Sequence, residues 1–318
     1  MRMREIDGLT LCEAFYREHG VPMLQEQFPH LVGLIAVGLV GSGSECFGYD
    51  DLLSQDHDFE PGFCLFLPDQ TLVDRKAAFA LERAYAKLPM EFMGYRRSPL
   101  NPVGGNRHGV IRMAEFFKEK TGVPDGALSL TDWFYIPEQS LAEATCGKVF
   151  RDDLGQFTAI RSALAYLPEA VRLKKLAGNV LLMGQAGQYN YSRCVSRGET
   201  AAAQLAIAEF VKSALHAIFL LNRRYIPYYK WTFRALRDLP LLSEQYDSLE
   251  YLLSSGNSPE EAETKTILIE QICGSIHAAL TDQGLTDHTG TESEGHAYSV
   301  NDHISNSDIR TLHILYGT

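Results

Sequence analysis

A short apolar run, Leu34–Val40, ends in Gly41-Ser42-Gly43-Ser44, and the eleven residues Glu45 to Gln55 then lead to Asp56-His57-Asp58. A continuous apolar stretch of this length, closed by glycine, predicts a buried strand rather than a helix. Gly41 and Gly43 let the backbone approach a ligand closely, and Ser42 and Ser44 add hydroxyl donors. A helix opening after Ser44 would aim its free N–H groups at an anion. On a strand, Asp56 and Asp58 would share one face while His57 points away. Two such carboxylates repel each other unless a cation lies between them, and Mg2+ suits carboxylate and phosphate oxygens. Taken without the glycine turn, the pair fits a solvated loop equally well, since Tyr49-Asp50-Asp51 close by is also charged.

The pattern around this feature predicts an α+β chain. An amphipathic helix is expected over 9–29, with Gly20 as a possible break. A second strand is expected over 58–67, where Phe63, Leu65 and Leu67 share a face, and Pro68 ends it. A helix over 70–88, a Pro/Gly/Asn loop over 98–107, a strand over 108–113 and a helix over 114–120 follow. From about residue 137 the segments read as helices, near 156–166, 168–184, 199–222, 227–237 and 259–282. Thr200–Leu221, apolar around most of its circumference, is expected at the centre of a bundle. Ser258-Pro259-Glu260-Glu261 has the composition of a helix start. Residues 283–308 read as polar and irregular. The expected division is a small mixed-sheet domain, residues 1–135, followed by an all-α helical bundle, residues 136–318.

The formal net charge of −11, with no basic run longer than a pair such as Arg223-Arg224, argues against broad binding to duplex nucleic acid. The six cysteines are scattered singly without a CxxC pair, which points to neither a zinc knuckle nor a redox dithiol. The first residues lack an apolar core of signal-peptide length, and runs such as Leu215–Leu221 are too short to span a bilayer. The expectation is a cytoplasmic protein without a membrane partner, and the apolar helical half leaves room for a homodimer surface.

Gly43-Ser44, Gly48 four residues beyond that serine, and Asp56-His57-Asp58 after an apolar strand together resemble the nucleotidyltransferase fold of the DNA polymerase β superfamily. The motifs cover roughly residues 30–70, and the order of elements covers 10–125. GSGSE…DHDF, LPMEFMGY, PEQSLAEATCGKVFRDDLG and LNRRYIPYYKW are also similar to an uncharacterised bacterial family, DUF4037, in which a nucleotidyltransferase-like domain precedes a helical one. Aminoglycoside nucleotidyltransferases have a similar layout.

The resemblance implies that Asp56 and Asp58 bind Mg2+ and that Gly43 and Ser44 hold the β- and γ-phosphates of a nucleoside triphosphate, with ATP the expected one. A hydroxyl, favoured as that of a small molecule by the acidic charge, would attack the α-phosphorus and release pyrophosphate. The family often places a third carboxylate on a later strand, but His108–Met113 has none. Glu115 and Glu91 are the candidates for it, and His108 is an alternative base. Aromatic and basic residues mix at Tyr189–Arg193 and Asn222–Trp231, which suits base stacking and phosphate pairing. Arg193 and Lys230 are the expected triphosphate contacts, with Lys148 a weaker one. A nucleotide-binding regulatory module without turnover is the alternative function.

Overall fold

The computed structural model describes residues 6–51, 59–99 and 107–318. It has two compact units, Met1–Leu128 with Ile136–Ala165, and Ser129–Tyr135 with Tyr166–Thr318. The division is therefore not a single cut after residue 135, because the chain returns to the first unit for two more helices and one more strand. The α+β class holds.

In the first unit, α1 (Gly8–Phe15) starts at an N-cap, where the Asp7 carboxylate accepts from Thr10 N at 2.8 Å. It continues through a π turn at Tyr16–Gly20 into α2 (Val21–Gln27). The expected break at Gly20 is thus a π turn. Pro22 has no N–H to give to the preceding turn, and one wider turn accommodates it. Strand β1 (Ala36–Leu39) is followed by the single-turn helix α3 (Ser44–Phe47), β2 (Cys64–Leu67) and α4 (Arg75–Ala86). A two-stranded hairpin, β3 (Glu91–Phe92) and β4 (Tyr95–Arg96), turns at Met93-Gly94. Strand β5 (Gly109–Arg112) leads directly into α5 (Met113–Thr121).

After α6 (Asp132–Tyr135), which belongs to the second unit, come α7 (Glu138–Thr145), β6 (Lys148–Arg151) and α8 (Gln156–Ala163). The sheet order is β5-β2-β1-β6, with β2 and β5 parallel and the other neighbours antiparallel. Strand β6 lies where a helical domain was expected, and Gly38 lets it pair with β1. A Cβ at Gly38 would sit 2.6 Å from the Lys148 carbonyl oxygen.

Alternation sorts the two faces of the sheet. Val37, Phe63, Leu65 and Leu67 pack with Leu11, Phe15, Leu81 and Tyr85 in one core. Phe66 points the other way and stacks on Phe157 of α8, centroids 4.1 Å apart and 20° between planes, with Phe116 of α5 5.2 Å from Phe66. This aromatic layer holds α8 in the first unit.

The second unit is helical. Its first long helix, α9 (Glu169–Met183), runs through a π segment at Gly184–Tyr191 into α10 (Ser192–Ser196). Then come α11 (Thr200–Leu221), α12 (Tyr229–Arg237), α13 (Tyr246–Ser254), α14 (Pro259–Asp282), α15 (Ser293–Asp302) and α16 (Ser307–Arg310). Helix α11 is the expected centre, packed against α9, α13 and α14. By length and composition it could cross a bilayer, contrary to the reading of the shorter run within it, yet most of it is buried inside the unit. Helix α14 begins with a reciprocal capping box between Ser258 and Glu261.

The segment 283–308, expected to be irregular, instead forms α15 and the start of α16. Ser293, His296, Ala297 and Val300 are buried at helical spacing, so the polar composition hides the period. Their polar groups are satisfied internally. His277 Nε2 lies 3.0 Å from Ser293 Oγ, and His296 bonds Thr286 Oγ1 at 3.1 Å and the Gly290 carbonyl at 2.9 Å. Lys174, fully buried on α9, binds the segment that follows through Asn301 Oδ1 and the carbonyls of Arg310 and Leu312, all within 3.0 Å.

The stacked His277 and His296 rings, 3.9 Å apart, bear on acid stability. Burial, then the neighbouring His296 and His288, push the His277 pKa down to about 4, while Glu292 opposes the shift. The folded chain therefore keeps His277 neutral in a range where the unfolded chain protonates it. Stability is fully present above about pH 6.5 and falls as pH drops toward 4. For this group the loss between pH 7 and 4.5 is expected to be about 2 kcal/mol. Urea denaturation of the wild type and His277→Gln at both pH values checks it. The variant should show a smaller pH dependence, and an unchanged one would refute the assignment.

Candidate functional site

Strand register collects one set of loops at one end of the first unit's sheet. Gly38 pairs with Cys64, and Cys64 with Gly109. The exit of β1, the entry to β2 and the entry to β5 therefore lie side by side. They bring together the Gly41–Ser44 turn, the Phe59–Phe63 approach to β2 and the Arg107-His108 approach to β5.

The turn is built for a backbone without a side chain. Gly43 has φ +134° and ψ +145°, a region almost confined to glycine. A Cβ there would lie 1.9 Å from Arg107 Nη2 and 2.7 Å from Glu45 Oε1. The Arg107 guanidinium crosses this open backbone, bonds the Ser42 carbonyl at 3.0 Å and pairs with the buried Glu45 carboxylate. A planar guanidinium with several donors suits phosphate oxygens as well as carboxylate. Helix α3 has only four residues, too few for its dipole to contribute much.

Behind Arg107, His108 is 5 % exposed, with Nδ1 3.4 Å from Glu60 Oε1. Burial raises the Glu60 pKa, but hydrogen bonds with His108 and Ser98 outweigh it and hold the carboxyl below its ordinary range. His108 Nε2 is buried and has no hydrogen-bond partner among the described residues. Leaving such an atom unsatisfied costs about 1–3 kcal/mol, so it calls for a functional or packing reason. Cys12 and Cys64 brace the same loops by donating to the carbonyls of Glu60 at 3.5 Å and Arg107 at 3.2 Å. Burial pushes both thiols up to about 12.

Gly43 and Ser44 occupy the turn, while Asp56 and Asp58 lie outside the described residues, immediately before Phe59. Glu115, exposed in the first turn of α5, and Glu91, exposed opposite Arg96, have no described bond to the turn or to His108. Lys148 is engaged by Glu13 at 2.6 Å. Arg193 and Lys230, both exposed, belong to the second unit. Each lies over an aromatic ring of its own, Tyr189 at 4.7 Å and Trp231 at 5.0 Å. No described contact joins them to each other.

Arg193 also lines a cleft of about 260 Å³ with Ser192, Ser196 and Arg197. A second cleft of the same unit, about 400 Å³, lies between the π segment and α11, where Leu182, Ala186, Leu205 and Glu209 line it. Among the described residues, no group of three or more His, Cys, Asp or Glu side chains is arranged to hold a metal ion. Arg107, Glu45 and Glu60 were not singled out in the sequence. The one signal for Arg107 was its place as the cation just before a predicted strand.

Residues 133–232 match the model of a family described as Domain of unknown function (DUF4037), so that segment is similar to this family. The match runs from α6 into α12, and includes β6, Arg193 and Lys230 but not the Gly-Ser and Asp-x-Asp motifs. No curated protein and no solved structure matches the chain.

Proposed function

We propose that the chain is a Mg2+-dependent nucleotidyltransferase, moving a nucleoside monophosphate from a nucleoside triphosphate to a hydroxyl of a small-molecule acceptor. The observation that carries this reading is the Arg107 guanidinium held over the side-chain-free Gly43 backbone, at the sheet end the chain enters just after Asp56-His57-Asp58. Gly43, Ser44 and Arg107 hold the β- and γ-phosphates, and Arg107 exchanges the Glu45 carboxylate for phosphate oxygens. Mg2+ bound by Asp56 and Asp58 would neutralise charge on the triphosphate. With Glu60 fixing its Nδ1–H, His108 offers Nε2 to take the proton of the attacking hydroxyl. This fills the role for which β5 supplies no carboxylate.

Incubation of the full chain with each labelled triphosphate, Mg2+ and a panel of hydroxylated acceptors tests the proposal. The expected result is acceptor-dependent release of pyrophosphate, lost in Asp56→Asn. Absence of release under every pairing would overturn it. The absence of an acid from Gly109–Arg112, and the exposure of Glu91 and Glu115 without a described bond to the turn, favour a second reading, a regulatory module that binds nucleotide without consuming it. Under that reading triphosphate binds and is recovered intact.

A further inference from the structure

Two cysteines 100 residues apart meet behind the Gly41–Ser44 turn. Cys46 of α3 belongs to a small apolar cluster against which Cys146, after α7, is packed. Their main chains are also tied, since Gly147 N–H donates to the Cys46 carbonyl at 2.8 Å. Both sulfurs touch the turn, with Cys146 Sγ 3.2 Å from the Gly41 carbonyl oxygen and Cys46 Sγ 4.0 Å from that of Ser42.

The two thiols are not equivalent. Cys46 is buried in a small apolar cluster with Cys12 and Leu39, whereas Cys146 is partly exposed. The Arg161 guanidinium is anchored beside Cys146, bonding the carbonyls of Thr145 and Cys146 at 2.6 Å each. The adjoining Cys46 side chain, aided by the Gly41 backbone contact and the Arg161 charge, draws the Cys146 thiol below its ordinary range, and Cys146 in turn raises Cys46. Cys12, Cys64 and Cys273 are instead pushed up to about 12 by burial. A half-buried cysteine beside a cation, packed with a second cysteine, is the arrangement of an attacking and a resolving cysteine.

We propose that Cys146 and Cys46 form a peroxide-oxidisable pair that closes to an intramolecular disulfide. The Cys146 thiolate attacks one peroxide oxygen, the O–O bond breaks, and the leaving oxygen is protonated to water or an alcohol. Cys146 is left as a sulfenic acid. The Cys46 sulfur then attacks it, the S–S bond forms, and the hydroxyl leaves as water with the Cys46 proton. Two electrons pass from the sulfurs to the peroxide. The disulfide has no S–H to donate, so the Gly41 and Ser42 carbonyls lose the thiol contacts that brace the turn. The proposal does not depend on the nucleotide chemistry proposed above.

Hydrogen peroxide treatment of the full chain, followed by non-reducing peptide mapping, tests it. The expected product is a Cys46–Cys146 crosslinked peptide, with Cys194, also partly exposed, as the internal comparison. Cys46→Ser should leave a sulfenic acid at Cys146 that dimedone traps, and Cys146→Ser should slow loss of the Cys46 thiol about tenfold or more. Oxidation of Cys194 ahead of Cys146, or a wild-type map without the crosslink, would overturn the proposal.

Discussion

Phe157→Ala is expected to lower the unfolding free energy of the first unit by about 3–5 kcal/mol. The ring is fully buried, stacked on Phe66 at 4.1 Å and flanked by Phe117 at 5.2 Å and Phe116 at 5.8 Å. These neighbours sit on β2 and α5, so they cannot readily collapse into the space that truncation leaves, and a cavity term adds to the lost burial. Phe157→Leu should cost less, about 1–2 kcal/mol, because most of the volume is kept. Guanidinium denaturation followed by a probe in the first unit measures both. A loss below about 1 kcal/mol for the alanine variant would mean that α8 does not complete this core.

That helix was legible in the sequence, but its membership in the first unit was not. Alternation at Phe63, Leu65 and Leu67 correctly marked the face of β2 that packs on α1 and α4, yet Phe66 facing the other way carried no sign of what covers it. Strand β6 has four residues, and its pairing depends on the missing side chain of Gly38, a contact between positions more than 100 apart. The β3–β4 hairpin has two residues per strand, too few for any period to appear. Helix α15 buries serine and histidine, so its spacing was right and its composition misleading.

The site divides in the same way. Glycines and serines adjacent in the chain announce a turn, because backbone freedom is a local property. The Arg107–Glu45 pair spans 62 positions, and His108 acquires its Glu60 partner only when β5 aligns beside β2. Glu115, just beyond the expected strand His108–Met113, and Glu91, in LPMEFMGY, both face solvent.

The central claim is that the Gly43-Ser44 turn with Arg107 holds a triphosphate, and Gly43→Ala addresses it. An alanine there must adopt a conformation that costs about 1–3 kcal/mol. Its methyl group must also displace Arg107 from the Ser42 carbonyl and from Glu45. Loss of two or more charge-assisted contacts to phosphate, about 3 kcal/mol, corresponds to roughly 100-fold in affinity. The most direct measurement is calorimetric titration of ATP with Mg2+ into the full-length wild type and Gly43→Ala, with thermal melting as the check on folding. The account predicts saturable binding to the wild type and binding at least about 100-fold weaker to a variant that still melts cooperatively. No binding to the wild type, or equal affinity in the two proteins, would contradict it.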